Sequence, residues 1–386
     1  MNEVYVIRRP PTDFLTYDLV HELVRHYKTP CEAYYIWTDQ PEYFYNFCQY
    51  RGFTKPVVAI AVKDLLDNQY QFNWWHHSRQ PGCDALITLV NNHPDQQFVL
   101  FTSFENLELE IDHPRIHIIP FGGDIVNQHT AYNNVAPVLE KTLNGQQHVL
   151  CLNRMDRDHR VVMLSYLYGL DIDQYCYTTF LGLQLLTHEK LSSIRHFLDR
   201  IPWEFDQHHN SQRETLFAGY QRMINDSTLY QSDHDIYGLS ANDNRSNFDS
   251  NLKPYYQRSL VEIVNETTFD TPAFMLTEKT LHSFYGCVFP IIVSGTGAVK
   301  HLKDLGFDMF DDIVDHRYDS IRNPFDRLFA AVDLNKELLT NSQQTKIAWD
   351  RCRHRFVANI SVAQNIYSWY VNRTKTKWEN FCRNEL

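Results

Sequence analysis

The segment 274–307 constrains the fold of this chain more than any other part of the sequence. Its first helical run begins at the adjacent acid and base Glu278 and Lys279, and an apolar strand follows at 288–293. A glycine-bearing turn, 294–297, then leads into a second helical run. Apolar strands alternating with helices are typical of a parallel sheet covered by helices, so the segment predicts an α/β fold.

The first 145 residues show the same alternation of short apolar runs and polar helical stretches. We predict five strands there, and a sixth apolar run at 85–90 fits either a strand or a helix. Polar residues of 127–147 mark the crossing to a second α/β part of the chain. The predicted strands are 5–7, 32–37, 57–62, 98–102 and 116–120.

The second α/β part opens with a strand at 148–152 and a helix at 157–168, and order returns with another strand at 259–264. Residues 206–251 are rich in His, Asn, Asp, Ser and Gln, which predicts a long surface insertion. A length of 386 residues suggests two domains. We expect an N-terminal domain at 1–147, a second domain at 148–332 and a C-terminal helical segment at 333–386.

Composition excludes several classes of protein. A net charge of -11 argues against capture of nucleic acid by charge alone. The eight cysteines form no CxxC pair, which argues against a zinc ribbon or a thioredoxin-like site and favours reduced, buried thiols. No stretch approaches the roughly 20 apolar residues that span a bilayer. With no signal-peptide core, we expect a cytoplasmic protein without a membrane span, in a bacterial or an infected host cell.

The 274–307 segment also carries candidate binding residues. Lys279 can neutralise a phosphate, and Glu278 can accept hydrogen bonds from sugar hydroxyls. Gly295 and Gly297 precede the second helix, and helix N-termini attract anions. Together they predict part of a pocket for a phosphorylated sugar compound.

A second candidate is the loop 152–160, where Arg154, Arg157 and Arg160 crowd the end of a strand and the start of a helix. Cations are unfavourable at a helix N-terminus, and an anionic ligand gripped by arginine would relieve the crowding. The alternative is that neighbouring aspartates pair with these arginines on a solvated loop.

A third candidate is Asn265-Glu266-Thr267, which follows an apolar strand. Open α/β sheets bind ligands at the carboxyl ends of their strands, so Glu266 is a candidate ligand-binding residue. The alternative is a plain turn that caps a helix.

These three pieces, in this order, resemble the donor-binding half of GT-B glycosyltransferases, and fucosyltransferases most closely. Thr277-Glu278-Lys279 matches the TEK motif of that family, Arg160 matches its donor-contacting arginine, and Glu266 matches its acidic strand end. The resemblance extends over 148–330. The segment 305–327 is also similar to one in uncharacterised glycosyltransferase-like proteins of bacteria and phages.

The resemblance implies two Rossmann-like domains with a cleft between them and C-terminal helices packing across both. It also implies transfer of a sugar from a nucleotide diphosphate sugar, with a GDP-sugar favoured, to an acceptor hydroxyl. Glu278 would bind the ribose, and Lys279 and Arg160 the diphosphate. The acceptor stays open between a glycan, a protein and modified DNA. A non-catalytic sugar- or nucleotide-binding protein, including a phage accessory protein, and an epimerase are the alternatives.

The acceptor side would supply a catalytic base, and the candidates are Asp124 and Glu105, with His76 and His77 next. We expect no cofactor and no metal, because the positive side chains would stabilise the leaving group. Asp171-Ile172-Asp173 spells a D-x-D pattern, but it follows a helix instead of a buried strand, and we interpret it as a surface loop.

Overall fold

The chain divides into two compact units, each built around one parallel sheet. Unit 1 comprises Met1–Thr130, Asp270–Leu276 and Asn365–Leu386, and unit 2 comprises Ala131–Phe269 and Thr277–Gln364. The computed structural model describes residues 3–8, 14–25, 31–36, 47–49, 53, 55–62, 81–109, 111–122, 135–143, 145–153, 158–180, 208–226, 248, 252–269 and 272–384.

The sheet of unit 1 has five parallel strands in the order β1-β2-β3-β4-β5. Its middle strand β3 is a continuous apolar run with both faces buried, as expected of a parallel strand covered on both sides. The elements are β1 Glu3–Arg8, α1 Phe14–Arg25, β2 Cys31–Ile36, β3 Val57–Val62, α2 Pro81–Asn91, β4 Gln97–Thr102, a 3-10 turn Leu107–Leu109 and β5 Ile116–Pro120.

Alternate residues of β3 enter two separate cores. Val58 and Ile60 pack in a cluster with Leu86 of α2, whereas Ala59 packs in a cluster with Val24 of α1. This alternation is the period of two that a strand imposes on its side chains. The ambiguous run 85–90 is helical because it forms part of the layer that covers the first of these faces.

The sheet of unit 2 has four parallel strands in the order β7-β6-β8-β9. Its elements are β6 Val149–Asn153, α3 Asp158–Gly169, a 3-10 turn Asp173–Tyr175, β7 Cys176–Phe180, α4 His208–Ile224, α5 Lys253–Gln257, β8 Val261–Asn265, α6 Glu278–Tyr285, β9 Phe289–Val293, α7 Ala298–Asp304, a 3-10 turn Arg317–Ser320, α8 Pro324–Asp333, α9 Lys336–Thr340, α10 Ser342–Arg351 and α11 Arg353–Asn384.

The interpretation of 206–251 as a surface insertion is wrong for its first part, which forms helix α4. Leu216, Tyr220 and Met223 are buried. A Cβ added at Gly219 would come within 1.9 Å of the Ser165 carbonyl oxygen of α3, so the glycine permits close contact between the two helices. The helix was not predicted because 206–251 is polar overall, and the face of α4 that packs on α3 contains few apolar residues.

The predicted fold class is confirmed by two parallel sheets with helices and by the helical C-terminal segment. The 32-residue helix α11 contributes residues to both units, since the division falls between Gln364 and Asn365. The domain bounds at 147 and 332 stay a prediction. The cysteines also agree with expectation: all eight are described and buried, and they form no disulfide. Among the described helices, none combines the length and apolar character that crossing a membrane requires.

Candidate functional site

The carboxyl ends of the unit 2 strands present a set of buried polar side chains. Asn153 ends β6 and Asn265 ends β8, and both are fully buried. The Asn265 side-chain amide donates to Asn153 Oδ1 at 3.0 Å, and the Asn153 backbone N–H donates to Thr179 Oγ1 of β7 at 3.0 Å. This is the edge at which open α/β sheets bind ligands. Asn153 was not among the predicted site residues, although its position at the end of an apolar run was the available signal.

The first turn of α3 is fastened to the end of β8. Arg160 is only 2% exposed, and its guanidinium donates to the Asn265 carbonyl oxygen at 3.4 Å. The preceding His159 lies with Nε2 3.0 Å from the Glu266 carbonyl oxygen, and its ring stacks on Phe269 at 4.9 Å. The structure therefore brings Arg160 to the same strand end as Glu266, with its cation buried.

Glu266 is a fully buried carboxylate whose two oxygens are both engaged. Oε1 accepts from the Thr277 N–H at 3.0 Å and from the Thr280 hydroxyl at 2.6 Å. Oε2 accepts from the Thr277 hydroxyl at 2.6 Å and from the Thr267 N–H at 3.3 Å. The carboxylate thus ties the end of β8 to the first turn of α6.

Glu278 and Lys279 begin α6, and their side chains form an ion pair with Nζ 3.0 Å from Glu278 Oε1. Lys279 also donates from Nζ to Thr277 Oγ1 at 3.1 Å, and Thr277 caps the helix by accepting from the Lys279 N–H at 3.4 Å. The Lys279 side chain is 20% exposed and that of Glu278 is 27% exposed. The site therefore offers solvent a braced cation beside an anion.

The ionisation of Glu278 and of the nearby His282 is set by their surroundings. Burial would raise the pKa of Glu278, but the charges of Lys279 and His282 outweigh it and lower that pKa to about 2. Burial lowers the pKa of His282 to about 4. At neutral pH Glu278 is therefore an ionised hydrogen-bond acceptor, and His282 is neutral.

The glycine turn before α7 is already filled by a side chain of the protein. The Val299 and Lys300 N–H groups donate to the two oxygens of Asp319, each at 3.1 Å, and the Gly297 N–H donates to its carbonyl oxygen at 3.1 Å. Gly297 has φ 84°, a conformation that glycine adopts readily. Asp319 thus occupies the position that the sequence predicted for an anionic ligand at Gly295 and Gly297. No local sequence signal connects Asp319 to a turn 20 residues earlier.

Arg327 also stabilises the turn 294–297 through hydrogen bonds. Its guanidinium is 2% exposed and donates to the Ser294 carbonyl oxygen at 2.9 Å and to the Thr296 hydroxyl at 3.0 Å. It also donates to the Phe269 carbonyl oxygen at 2.5 Å. Asp319 and Arg327 both lie in the segment 305–327, so part of that segment serves to build this turn.

Several predicted residues lie outside the described part of the chain: Arg154, Arg157, Asp124, His76 and His77. Glu105 is described in unit 1, where it is 2% exposed. Arg373 binds both of its oxygens, each at 2.8 Å. A buried carboxylate in a two-point pair with arginine is held as an ion-pair partner, and it would have to leave Arg373 to accept a proton.

Metal-binding geometry is absent from the described residues, where no three His, Cys, Asp or Glu side chains are grouped to hold an ion. Within the D-x-D pattern, Asp171 lies 2.5 Å and Asp173 lies 3.4 Å from Arg222. Asp171 is exposed, which agrees with the predicted surface loop. Both carboxylates serve as partners of this arginine.

The fold and the strand-end residues define an α/β protein with two parallel sheets and a polar, charged carboxyl edge in unit 2. No family model matches the chain, and no curated protein matches it. Two solved structures resemble it weakly over nearly their whole length. One is described as trehalose-6-phosphate from E. coli bound with UDP-2-fluoro glucose, with a TM-score of 0.42, 12% identity and coverage of 100% of this chain and 98% of that one. The other is the alpha,alpha-trehalose 6-phosphate synthase from Burkholderia multivorans, with a TM-score of 0.34, 10% identity and coverage of 96% and 95%. Similarity at this level assigns no activity to this chain.

Proposed function

We propose that the protein is a glycosyltransferase of the GT-B type, which moves a sugar from a nucleotide diphosphate sugar to an acceptor hydroxyl. The observation that carries this proposal is the partly exposed Lys279–Glu278 pair, braced by Thr277 and Glu266 at the carboxyl edge of a parallel sheet. Its residues are those of the TEK motif that resembles the fucosyltransferase donor site.

Lys279 is the proposed diphosphate ligand. One-fifth of the Lys279 side chain is exposed, and oxygens of Thr277 and Glu278 hold its ammonium at a fixed position. Little side-chain entropy therefore remains to be lost when a phosphate binds. As the bond to the sugar breaks, negative charge develops on the departing diphosphate, and a fixed cation stabilises it. The buried Arg160 adds positive potential behind the strand ends, with Arg154 and Arg157 as further candidates.

Glu278 is the proposed ribose ligand. A carboxylate with a pKa of about 2 stays ionised at every physiological pH, and it can accept hydrogen bonds from two neighbouring hydroxyls. Its pairing with Lys279 places a ribose acceptor and a phosphate donor side by side, which is the order of groups along a nucleoside diphosphate.

Glu266 acts as a positioning residue in this proposal. With no exposed surface and with four hydrogen bonds from the protein, its carboxylate reaches the ligand only through Thr277. The resemblance assigns an acidic residue to this strand end. In this chain that residue holds Thr277, which in turn contacts Lys279.

The resemblance favours a GDP-sugar, and the remaining assignments come from the sequence. The donor is a GDP-sugar, leaving-group charge is stabilised without a metal, and the base is Asp124 or Glu105. The acceptor is a glycan, a protein or modified DNA, and the reaction takes place in the cytoplasm.

A non-catalytic nucleotide-sugar-binding protein is the second candidate, and the Glu105–Arg373 pair favours it, because this described base candidate is already engaged. Turnover separates the two: an enzyme releases nucleoside diphosphate from its donor in the presence of an acceptor, or slowly with water, whereas a binding protein releases none.

A thermal-shift screen against GDP-, UDP-, ADP-, CMP- and dTDP-linked sugars tests the proposal. A ligand at 100 times its dissociation constant should stabilise the fold by about 2.7 kcal/mol. We expect a GDP-sugar to give the largest shift and the matching free sugar to give a much smaller one. If no nucleotide sugar stabilises the folded protein more than its free sugar does, the proposed donor site is wrong.

A further inference from the structure

A polar cavity of about 320 Å³ lies beside the edge strand β7 of unit 2. Gln147 precedes β6, Asp173 and Gln174 precede β7, and Tyr255 precedes β8, so the cavity lies toward the amino edge of the sheet. The lining also runs along the edge strand β7 as far as Thr179. Strand β6 lies between β7 and β8, so two strand spacings of roughly 4.8 Å each separate β7 from β8, the strand that Glu266 follows. Its described lining is Gln147, Tyr168, Asp173, Gln174, Cys176, Tyr177, Thr178, Thr179, Asp226 and Tyr255.

The lining offers hydroxyl, amide and carboxylate groups, which together donate and accept hydrogen bonds. None of the described lining residues is Lys, Arg or His. Asp173 is paired at 3.4 Å with Arg222, which lies outside this lining. The lining itself therefore presents two carboxylates and no cation, which disfavours a phosphate or any other anion. The described residues also form no metal-binding group. A neutral ligand rich in hydroxyls fits these groups.

Two tyrosine rings give the cavity an apolar side. Tyr177 and Tyr255 meet edge to face with ring centroids 6.0 Å apart and planes at 78°, and both are partly exposed. A ring of this kind presents an apolar face with a polar tip, so it can pack on the C–H face of a sugar while its hydroxyl stays hydrogen-bonded.

The polar groups are held in place before any ligand binds. Asp226 Oδ2 accepts from the Tyr168 hydroxyl at 2.7 Å, and the Gln147 side-chain amide donates to the Cys176 carbonyl oxygen at 3.1 Å. The Gln174 side-chain amide donates to the Asp171 carbonyl oxygen at 2.7 Å. Fixed groups of this kind lower the entropic cost of binding.

We propose that this cavity binds a small neutral saccharide, at a site separate from the nucleotide site. The volume lies at the lower end of the range for small-molecule sites, roughly 300–1,000 Å³, which favours one or two sugar rings. The proposal rests on the cavity and its lining alone, and it holds whether or not the carboxyl edge binds a nucleotide.

The test is saturation-transfer NMR and equilibrium titration of the full chain with methyl glycosides of glucose, galactose, mannose and N-acetylglucosamine, and with maltose and lactose. At least one should bind. Tyr177→Ala and Gln174→Ala, which remove a ring and an exposed amide, should each weaken its binding by about threefold to tenfold, the effect of a neutral contact. Asp226→Asn should weaken it as well.

Two matched variants locate the binding. Tyr367→Ala removes a partly exposed tyrosine of unit 1, and Lys279→Ala removes the cation of the nucleotide site; both should leave saccharide affinity unchanged. Asp226→Asn also alters the hydrogen bond to Tyr168 and could unfold the protein. In that case Gln174→Ala alone tests whether the polar lining binds the saccharide. The proposal is overturned if no glycoside binds the folded protein at millimolar concentration, if binding survives both Tyr177→Ala and Gln174→Ala, or if Lys279→Ala abolishes it.

Discussion

Thr277 donates its hydroxyl hydrogen to the Glu266 carboxylate across 2.6 Å. The hydroxyl therefore turns its lone pairs toward Lys279, whose Nζ lies at 3.1 Å and whose N–H lies at 3.4 Å. One buried carboxylate at the end of β8 thus fixes both the helix cap and the position of the cation in the next helix. Glu266 and Lys279 are therefore linked through the Thr277 hydroxyl in one hydrogen-bond network.

Glu266→Gln should reduce both the stability of the protein and its affinity for nucleoside diphosphates. The change removes the charge that receives four hydrogen bonds, and a hydrogen bond to a charged group contributes roughly 1.5–3 kcal/mol. Urea unfolding should show a loss of at least that size, and calorimetry well below the unfolding temperature should show weaker diphosphate binding because Lys279 loses its support.

Thr280→Val provides the matched control for Glu266→Gln. It removes one 2.6 Å bond to the same carboxylate but leaves Thr277 and Lys279 in place. We expect lower stability with unchanged nucleotide affinity. Equal losses of affinity in both variants would mean that Glu266 acts through general stability and does not position Lys279.

Arg373→Ala should destabilise the protein strongly. Glu105 would stay buried after losing the Arg373 guanidinium, and breaking a buried ion pair on one side costs about 3–5 kcal/mol. Arg383→Ala is the control on the same helix: its pair with Glu379 is exposed and contributes about 0–1 kcal/mol. Chemical denaturation measures the free energy of unfolding of both variants. Similar small decreases in the two would show that Glu105 is accessible to solvent.

Glu262 should make stability depend on pH. Burial raises its pKa from 4.5 to about 8, with the Tyr256 hydroxyl 2.9 Å from each carboxylate oxygen. The folded state therefore binds the Glu262 proton more tightly than the unfolded state does. The resulting contribution to the free energy of unfolding is present in full below about pH 4.5 and is lost as pH rises through about 8. The difference in unfolding free energy between the wild type and Glu262→Gln should fall over that range. A difference that is constant or rises with pH would contradict the raised pKa.

Eight of the nine described strands were predictable from sequence because buried parallel strands are short, nearly continuous apolar runs. Strand β7 was not predicted, since its sequence CYTTF contains two threonines and is not a continuous apolar run. The prediction of 57–62 agrees with β3 at both ends. Helix α4 was missed because its contact with α3 depends on Gly219, and a glycine contributes close approach without adding hydrophobicity. The buried residues Leu216, Tyr220 and Met223 do recur at helical spacing, but the polar composition of 206–251 outweighed them in the prediction.

The candidate site was predictable only in part. Lys279 and Glu278 were visible as a motif, and the structure places them at a partly exposed helix start. The engagement of Glu266 by Thr277 and the filling of the Gly297 turn by Asp319 depend on contacts between residues that are 11 and about 20 positions apart. Such contacts are set by the fold and have no local pattern.

Transfer should persist in EDTA. In the proposed mechanism Lys279 and the buried Arg160 supply the positive charge at the leaving group. Asp171 and Asp173 are partners of Arg222, so Asp173→Asn should also leave turnover unchanged. Turnover that is lost in EDTA and restored by manganese or magnesium would overturn the metal-free assignment while leaving the nucleotide site itself untested by that result.

The most direct test of the donor site is calorimetric titration of Lys279→Ala with a nucleoside diphosphate and with the matching nucleoside. Lys300→Ala, which removes an exposed lysine of α7, is the control. We predict that Lys279→Ala weakens diphosphate binding by about 10- to 150-fold, the effect of a charge-assisted hydrogen bond, and leaves nucleoside binding and the control unchanged. Equal losses for the nucleoside and the diphosphate, or no loss for either, would contradict the assignment of Lys279 to the diphosphate.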